Sequence, residues 1–277
     1  MISSLKPNMW FTFELRRWIK APALWVITLL SAGMAVLSTF GTIETGAKNI
    51  EDGLTDAAGL TELSLTMPFA GVLFTTFLAI VIVGSDFDTK FSNRLRMLSS
   101  NAVTLIVVKS IVASLLSFIV GAATLAAGRV ATERLLEAKD IAFTPQMEVV
   151  EWAQGYLLLY VSGALWGVAV ALLFRNSIVA MGVHFIYQTV AESSIIGAFP
   201  KVGKWLPGGA QAAMVQDPSL PERLDILPGI GVFALWLVAL FALSVFILSK
   251  SPQPPAGLMG RIGKKRESAV EPTTVVA

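Results

Sequence analysis

The sequence predicts an all-α polytopic membrane protein with six transmembrane helices. Of its 277 residues, 55% are hydrophobic and only 14% are charged, and the mean hydropathy is +0.70. A soluble domain usually has about 25% charged residues, because a globule of this size exposes a large polar surface. The lipid bilayer is therefore expected to solvate much of the chain.

Six apolar stretches are long enough to cross about 30 Å of hydrocarbon as helices. They lack the alternation of polar and apolar residues that is typical of membrane β-strands, and they are about twice as long as such strands. We expect the second to be the shortest and the fifth the most polar. The predicted spans are residues 24–43, 67–84, 106–128, 152–174, 177–199 and 226–248.

An amphipathic helix is predicted before the first span. Its apolar residues recur at i, i+4, i+7 and i+8, as expected for one face of a helix that lies in the membrane interface. Pro22 is expected to separate it from the first span. The alternative is an ordinary basic flank without a defined shape. The apolar positions are Phe11, Leu15, Trp18 and Ile19, and Arg16, Arg17 and Lys20 lie off that face.

The distribution of basic residues predicts the orientation. With the N-terminus in the cytoplasm, 14 of the 21 lysines and arginines lie on the inner side, as the positive-inside rule requires. Six spans then place both termini in the cytoplasm. The tail, residues 249–277, is rich in proline and basic residues and is predicted to be disordered near anionic lipid.

The cytoplasmic connection over residues 85–101 mixes apolar and charged residues. Phe87, Phe91, Leu95 and Leu98 recur at near-helical spacing, which predicts a short amphipathic helix. Its apolar side could rest on the bundle or on lipid, or it could bind a soluble partner in the cytoplasm. The residues alone do not decide between these alternatives.

Two further features concern packing. Gly163 and Gly167 form a small-xxx-small pair, which either brings two helices close together or reflects the general frequency of glycine in membrane helices. The outer connection over residues 199–214 is too apolar for a free loop. We expect short helices there, turned by Pro207 and two glycines, that dip into the membrane or cap the bundle.

Catalytic and metal sites are not predicted. The chain has no cysteine and one histidine, so thiol chemistry and the usual zinc motifs are excluded. The sequence has no P-loop motif, since Leu258-Met-Gly-Arg-Ile-Gly-Lys-Lys lacks its first glycine and final Ser or Thr. The chain is not expected to be an enzyme, and it is not expected to hold a cofactor.

A polar stripe interrupts the fifth span. His184, Gln188 and Glu192 are spaced at i, i+4 and i+8, so they share a helical face. Ionisable residues within a span usually face the bundle interior or water. The stripe could line a substrate path, or it could join helices by hydrogen bonds, and the second is favoured for His184.

Several short motifs are distributed along nearly the whole chain. They are Gly84-Ser-Asp-Phe-Asp-Thr-Lys-Phe91, then Arg94-Leu-Arg-Met-Leu98 and Lys109, and later Gly163-x-x-x-Gly167, Leu173-Phe-Arg-Asn-Ser-Ile-Val-Ala180, Glu192 and Trp205-Leu-Pro207. Together they resemble the permease subunits of type-2 ABC exporters, and the later motifs are similar to those of short actinobacterial-type permeases. Lys90 and Phe91 stand where the family pattern has a Gly-Thr pair.

The resemblance implies an exporter permease that works with a second permease copy or a homologous permease. ATP and Mg²⁺ would bind a separate cytoplasmic ABC ATPase, which would contact the loop after the second span. The exported substrate would be a drug, a peptide or a lipid-like molecule. The implied coupling residues are Asp86, Phe87, Phe91, Arg94 and Arg96, the connecting helix contains Arg16, Arg17 and Trp18, and a possible substrate path contains His184, Gln188 and Glu192.

The expected organisation has three parts. Residues 1–23 form the cytoplasmic interfacial (connecting) helix, residues 24–248 the six-helix transmembrane domain, and residues 249–277 the basic cytoplasmic tail. We expect a multi-pass protein of the plasma (inner) membrane, in contact with membrane lipids and without a nucleic-acid partner. The main alternative is a membrane immunity or scaffold protein that transports nothing. An intramembrane hydrolase is a third alternative, but His184 has no evident catalytic partner.

Overall fold

A computed structural model describes residues 7–89, 102–218, 220 and 222–250, and in this part of the chain all regular elements are helical. A 3₁₀ turn over Met67–Gly71 precedes α4, and a π-helical segment over Tyr187–Glu192 separates α7 from α8. The helices are α1 Pro7–Ile19, α2 Pro22–Glu51, α3 Ala57–Thr66, α4 Val72–Asp88, α5 Ala102–Glu137, α6 Val149–Phe174, α7 Ser177–Ile186, α8 Ser193–Ala198, α9 Pro200–Gly203, α10 Pro207–Met214 and α11 Ile226–Lys250.

Five helical stretches in the described residues are long and apolar enough to cross a membrane. This confirms the prediction of a polytopic helical membrane protein for five of the six expected spans. The stretch predicted as the fifth span, residues 177–199, is not among them, because His184, Gln188 and Glu192 lower its hydropathy and a π segment interrupts it. The five are Pro22–Glu51, Ala57–Asp88, Ile106–Glu137, Val149–Phe174 and Ile226–Ile247.

One end of the bundle, here named the α1 end, contains the end of α4 and the starts of α5 and α7. Lys109 on α5 contacts Asp86 on α4 at 2.5 Å. The Ser177 hydroxyl on α7 donates to Asp88 at 2.5 Å. The chain therefore returns to this end between α4 and α5, and again between α6 and α7.

The far end of the bundle contains the other turns of the chain. Lys139, after α5, pairs with Glu44 on α2 at 2.7 Å. The backbone amide of Gln146, before α6, donates to the Glu62 carboxylate on α3 at 2.5 Å. Met214 closes α10 beside the first turns of α6. These contacts show four passes between the two ends, along α2, α3 with α4, α5 and α6. Residues 177–214 return from the α1 end to the far end as a broken fifth pass.

The centre of the bundle is the contact between α4 and α6. The Thr76 hydroxyl donates to the Gly163 carbonyl at 3.0 Å, and a Cβ added at Gly163 would lie 2.7 Å from Val72. A Cβ added at Gly167 would meet the Thr76 backbone. The glycine pair therefore does bring two helices into close contact, which resolves the two alternatives that the sequence left open.

Helices α2 and α11 are peripheral and expose apolar side chains. Leu29 on α2 is 74% exposed, and Leu227 and Leu235 on α11 are 79% and 71% exposed. Water would solvate such surfaces poorly, whereas lipid tails would cover them without cost. The outer surface of the bundle is therefore that of a membrane protein.

Local sequence features explain why the helices are interrupted at the α1 end. Pro22 occupies the first turn of α2, where its missing N–H is not needed, and α1 ends before it as predicted. Between α6 and α7, Arg175 has a left-handed backbone with φ of 54°. Asn176 then caps α7, because its side chain accepts from the Val179 amide at 2.9 Å.

Candidate functional site

A four-charge cluster of Glu14, Arg17, Asp86 and Lys109 joins three helices at the α1 end. Lys109 lies 2.5 Å from Asp86 and 3.4 Å from Glu14. Arg17 lies 3.0 Å from Asp86 and 3.6 Å from Glu14. Each cation thus contacts both carboxylates, and the cluster is formally neutral.

Burial makes these ion pairs stronger than ordinary surface pairs. The side chains of Glu14, Asp86 and Lys109 are 1%, 3% and 5% exposed, and only Arg17 is partly open at 32%. Bringing such charges out of water is expensive, and it is offset only when each charge has close opposite partners. The cluster therefore requires all of its members, and loss of one leaves an uncompensated buried charge.

Helix α1 supplies half of the cluster because its inner face is apolar around Glu14. Trp18 is buried, and Trp10, Phe11 and Leu15 are partly buried against the main core. Glu14 lies within this face, one turn from Trp18 and Trp10. Packing of the aromatic residues thus places the carboxylate against α4 and α5.

The predicted connecting-helix residues lie in different surroundings. Trp18 is 5% exposed and Arg17 is in the cluster, so both contact the bundle. Arg16 faces outward. Ile19, expected on the apolar face, is 40% exposed, because the buried face is centred on Glu14 and Trp18. The interfacial position of α1 stays a prediction.

The predicted coupling residues are only partly described. Asp86 is buried in the cluster, and Phe87 is half-buried against the main core. Phe91, Arg94 and Arg96 lie outside the described residues, as do residues 251–277 of the predicted tail. The described residues therefore place the start of the predicted coupling segment, Asp86, in contact with α1 and α5.

Sequence reasoning missed Glu14 and did not assign a contact to Lys109. Glu14 is an acidic residue inside an otherwise apolar and basic helix, and Lys109 begins an apolar span. A charge in either position is costly without a partner. Glu14 and Lys109 carry opposite charges in otherwise apolar surroundings. That combination was the signal that could have identified them as partners.

The polar stripe of the fifth pass faces the bundle interior. His184 and Glu192 are buried, Gln188 is half-buried, and the His184 ring packs edge-on against Phe77 at 6.1 Å. The π segment has wider turns than an α-helix, so Gln188 and Glu192, four residues apart, stay on one face. The role of these three residues in a substrate path stays a prediction.

The connection over residues 199–214, here named the short-helix unit, reaches well into the bundle. It contains α9 and α10, which agrees with the short helices predicted there. The Trp236 indole donates to the Trp205 carbonyl at 2.9 Å, and Trp236 lies about 15 Å along α11 from its start at 1.5 Å per residue. The side-chain amide of Gln211 donates to the Ser162 hydroxyl in α6 at 3.0 Å.

Within residues 7–89, 102–218 and 222–250, no group of three or more His, Asp or Glu side chains is placed to hold a metal ion. Comparison with models of known protein families gives no match, and comparisons with curated proteins and with solved structures give none either.

Proposed function

We propose that the chain is the membrane permease subunit of an ABC-type exporter, driven by a separate cytoplasmic ATPase. The observation that carries the proposal is the four-charge cluster, because it joins both ends of the segment 89–101 to the amphipathic helix α1. Asp86 lies just before that segment and Lys109 just after it, and both contact Glu14 or Arg17 of α1. A force applied to the segment would therefore reach α1 and the bundle together.

The arrangement of the passes supports this proposal. Two passes, α2 and then α3 with α4, bring α1 and the segment 89–101 to the same end, which is the cytoplasmic end if the basic residues follow the positive-inside rule. The central helices α4 and α6 are rigidly packed through Gly163 and Gly167, whereas the fifth pass is broken. Rigid and broken helices in one bundle are what an alternating-access transporter needs.

A partner that binds the segment 89–101 would approach a basic surface. Arg16 and Lys20 are exposed on α1, and Lys90, Arg94 and Arg96 belong to the segment itself. Complementary charge increases association rates and selects the partner. On this proposal the ATPase has an acidic or polar groove that receives the segment, and two permease chains and two ATPase chains form the working assembly.

The test is copurification of ATP hydrolysis with the tagged full-length chain from its native membrane. We expect a nucleotide-binding subunit to copurify, and Arg94→Glu to remove it, because a reversed charge disrupts the contact. Arg134→Glu is the matched control, since Arg134 is an exposed residue at the far end paired only with Glu137 among the contacts described. Absence of a copurified ATPase would contradict the proposal and favour the immunity or scaffold alternative, and unchanged association with Arg94→Glu would contradict a contact through the segment 89–101.

A further inference from the structure

Helix α10 begins inside the bundle without a capping residue of its own. Its N-cap position is Leu206, which has no side-chain hydrogen bond to offer. The first turn of any helix leaves several N–H groups without intrahelical partners, and burial makes them costly. A partner from elsewhere in the chain is therefore needed here.

Glu192 supplies this partner from the π segment of the fifth pass. Its Oε1 accepts a hydrogen bond from the Gly208 amide at 2.5 Å, although the two residues belong to different helices. A carboxylate bonded to a backbone amide makes a charge-assisted hydrogen bond, and it also faces the positive end of the α10 dipole. The contact thus replaces the missing cap.

The absence of a side chain at position 208 is part of the same contact. A Cβ added at Gly208 would lie 2.9 Å from both Cδ and Oε2 of Glu192, which is closer than real Cβ contacts. Glycine therefore leaves room for the carboxylate in this position, and a larger residue would displace it. Glu192 itself is only 3% exposed, so water does not compete for the bond.

The rest of the short-helix unit is attached mainly by small residues and by two further hydrogen bonds, from Trp236 to Trp205 and from Gln211 to Ser162. On α10, Ala213 packs on Gly229 of α11, where an added Cβ would lie 2.7 Å from Ala213. Alanine and glycine have little side-chain surface to bury, so the polar contacts of α10 contribute strongly to its position. Among the contacts described, the Glu192 bond is the one made to the first turn of α10.

We propose that Glu192 is a positioning residue that fixes the short-helix unit against the bundle, and that breaking its bond to Gly208 lets the unit open at the far end. The opening would expose the faces of α6 and α11 that α10 covers, including Ser162 and Gly229. This conformational device does not require the chain to be a transporter. On the proposed function, however, it lies where an exported substrate leaves.

The natural absence of cysteine allows a direct test by thiol labelling. Ala213→Cys places one thiol at a fully buried position on α10, and the full-length protein in lipid nanodiscs is treated with a charged, water-soluble thiol reagent. Glu192→Leu removes the acceptor, and we expect it to increase the labelling rate by about tenfold, as expected when a hydrogen bond to a charged group is lost. Glu192→Gln retains an acceptor and is expected to change the rate much less.

Gly208→Ala tests the same contact without changing the carboxylate. Its methyl group would force Glu192 away, and we expect labelling to increase in the same direction. Gly182→Ala is the matched control, because an added Cβ there meets no atom within 4 Å. Its labelling rate should equal that of the parent.

A second reporter separates local opening from unfolding. Ala164→Cys is buried in α6 and should stay unlabelled in every variant. If Glu192→Leu also makes the thiol of Ala164→Cys reactive, that variant has unfolded. The labelling of Gly208→Ala then decides the outcome. Equal labelling of Ala213→Cys in the parent and in the deciding variant would overturn the inference, whether or not an ATPase copurifies.

Discussion

Lys109 and Asp86 lie 2.5 Å apart at the α1 end, one at the start of α5 and the other near the end of α4. Both side chains are almost completely buried, at 5% and 3% exposure. The pair joins α4 to α5, the two helices that flank residues 89–101 in the chain. Glu14 and Arg17 of α1 contact the same two residues, so three elements share one set of charges.

Neutralising Lys109 should destabilise the protein strongly. Lys109→Met retains the length of the side chain but leaves two buried carboxylates with only Arg17 as a counter-charge. Removal of one member of a buried ion pair typically costs about 3 to 5 kcal/mol. The free energy of unfolding in mixed micelles measures this, and the exposed Arg134 provides the control, because Arg134→Met should cost less than about 1 kcal/mol.

A second change should compensate for part of that loss. Adding Asp86→Asn to Lys109→Met restores the charge balance, leaving Glu14 paired with Arg17. We expect the double variant to be more stable than Lys109→Met alone. A double variant that loses the sum of the two single losses would mean that the residues are not coupled.

Helix α4 and helix α6 should tolerate no side chain at their closest point. Gly167→Ala adds a methyl group against the Thr76 backbone and Ala79, and overpacking of this kind costs roughly 1 to 3 kcal/mol. Gly33→Ala on α2 is the control, because an added Cβ there meets nothing within 4 Å and alanine favours helix. Thermal denaturation of the purified protein should show a lower midpoint only for Gly167→Ala.

Two tyrosines on α6 allow a matched comparison of hydrogen bonding. The Tyr160 hydroxyl donates to the Pro68 carbonyl at 2.7 Å, whereas the Tyr156 hydroxyl has no hydrogen-bond partner among the described residues. Tyr160→Phe leaves a buried carbonyl without its donor and should cost about 1 to 3 kcal/mol. Tyr156→Phe should be neutral or slightly stabilising, and equal losses in unfolding experiments would refute this assignment.

Thiol labelling of intact cells tests the predicted orientation. Asp52→Cys is exposed at the far end, and Arg16→Cys is exposed on α1. If both termini are cytoplasmic, a membrane-impermeant reagent labels Asp52→Cys in intact cells and Arg16→Cys only after permeabilisation. The reverse pattern would invert the topology and place the segment 89–101 outside the cell.

Hydrophobicity and periodicity predicted much of this fold, because long apolar helices must satisfy their own backbone in lipid. The five long spans, the helix before Pro22 and the short helices after residue 199 were all visible in this way. In the sequence, the interruption of the fifth pass was indicated only by the polar residues of the predicted fifth span. Glu192, at the end of the π segment, accepts a hydrogen bond from the Gly208 amide, and single-helix periodicity does not contain that information.

The candidate sites were less predictable, because they depend on contacts between distant residues. Asp86 was expected to act in a cytoplasmic loop, yet it is buried between Arg17 and Lys109. Glu192 was assigned to a possible path, which stays a prediction, and it caps a helix that begins fifteen residues later in the chain. In both places a buried charge signalled a special site, and only the tertiary structure identified its partner.

On the proposed function, an ATPase acts on this bundle through the segment 89–101. The most direct measurement compares the labelling rate of Ala213→Cys, at the far end, with and without ATP and Mg²⁺ in the copurified complex in nanodiscs. We predict that nucleotide changes the rate several-fold in the complexes of the parent and of Arg134→Glu, but not in the Arg94→Glu protein, which is expected to lack the ATPase. A rate that does not respond to nucleotide in any of the three proteins would contradict the account.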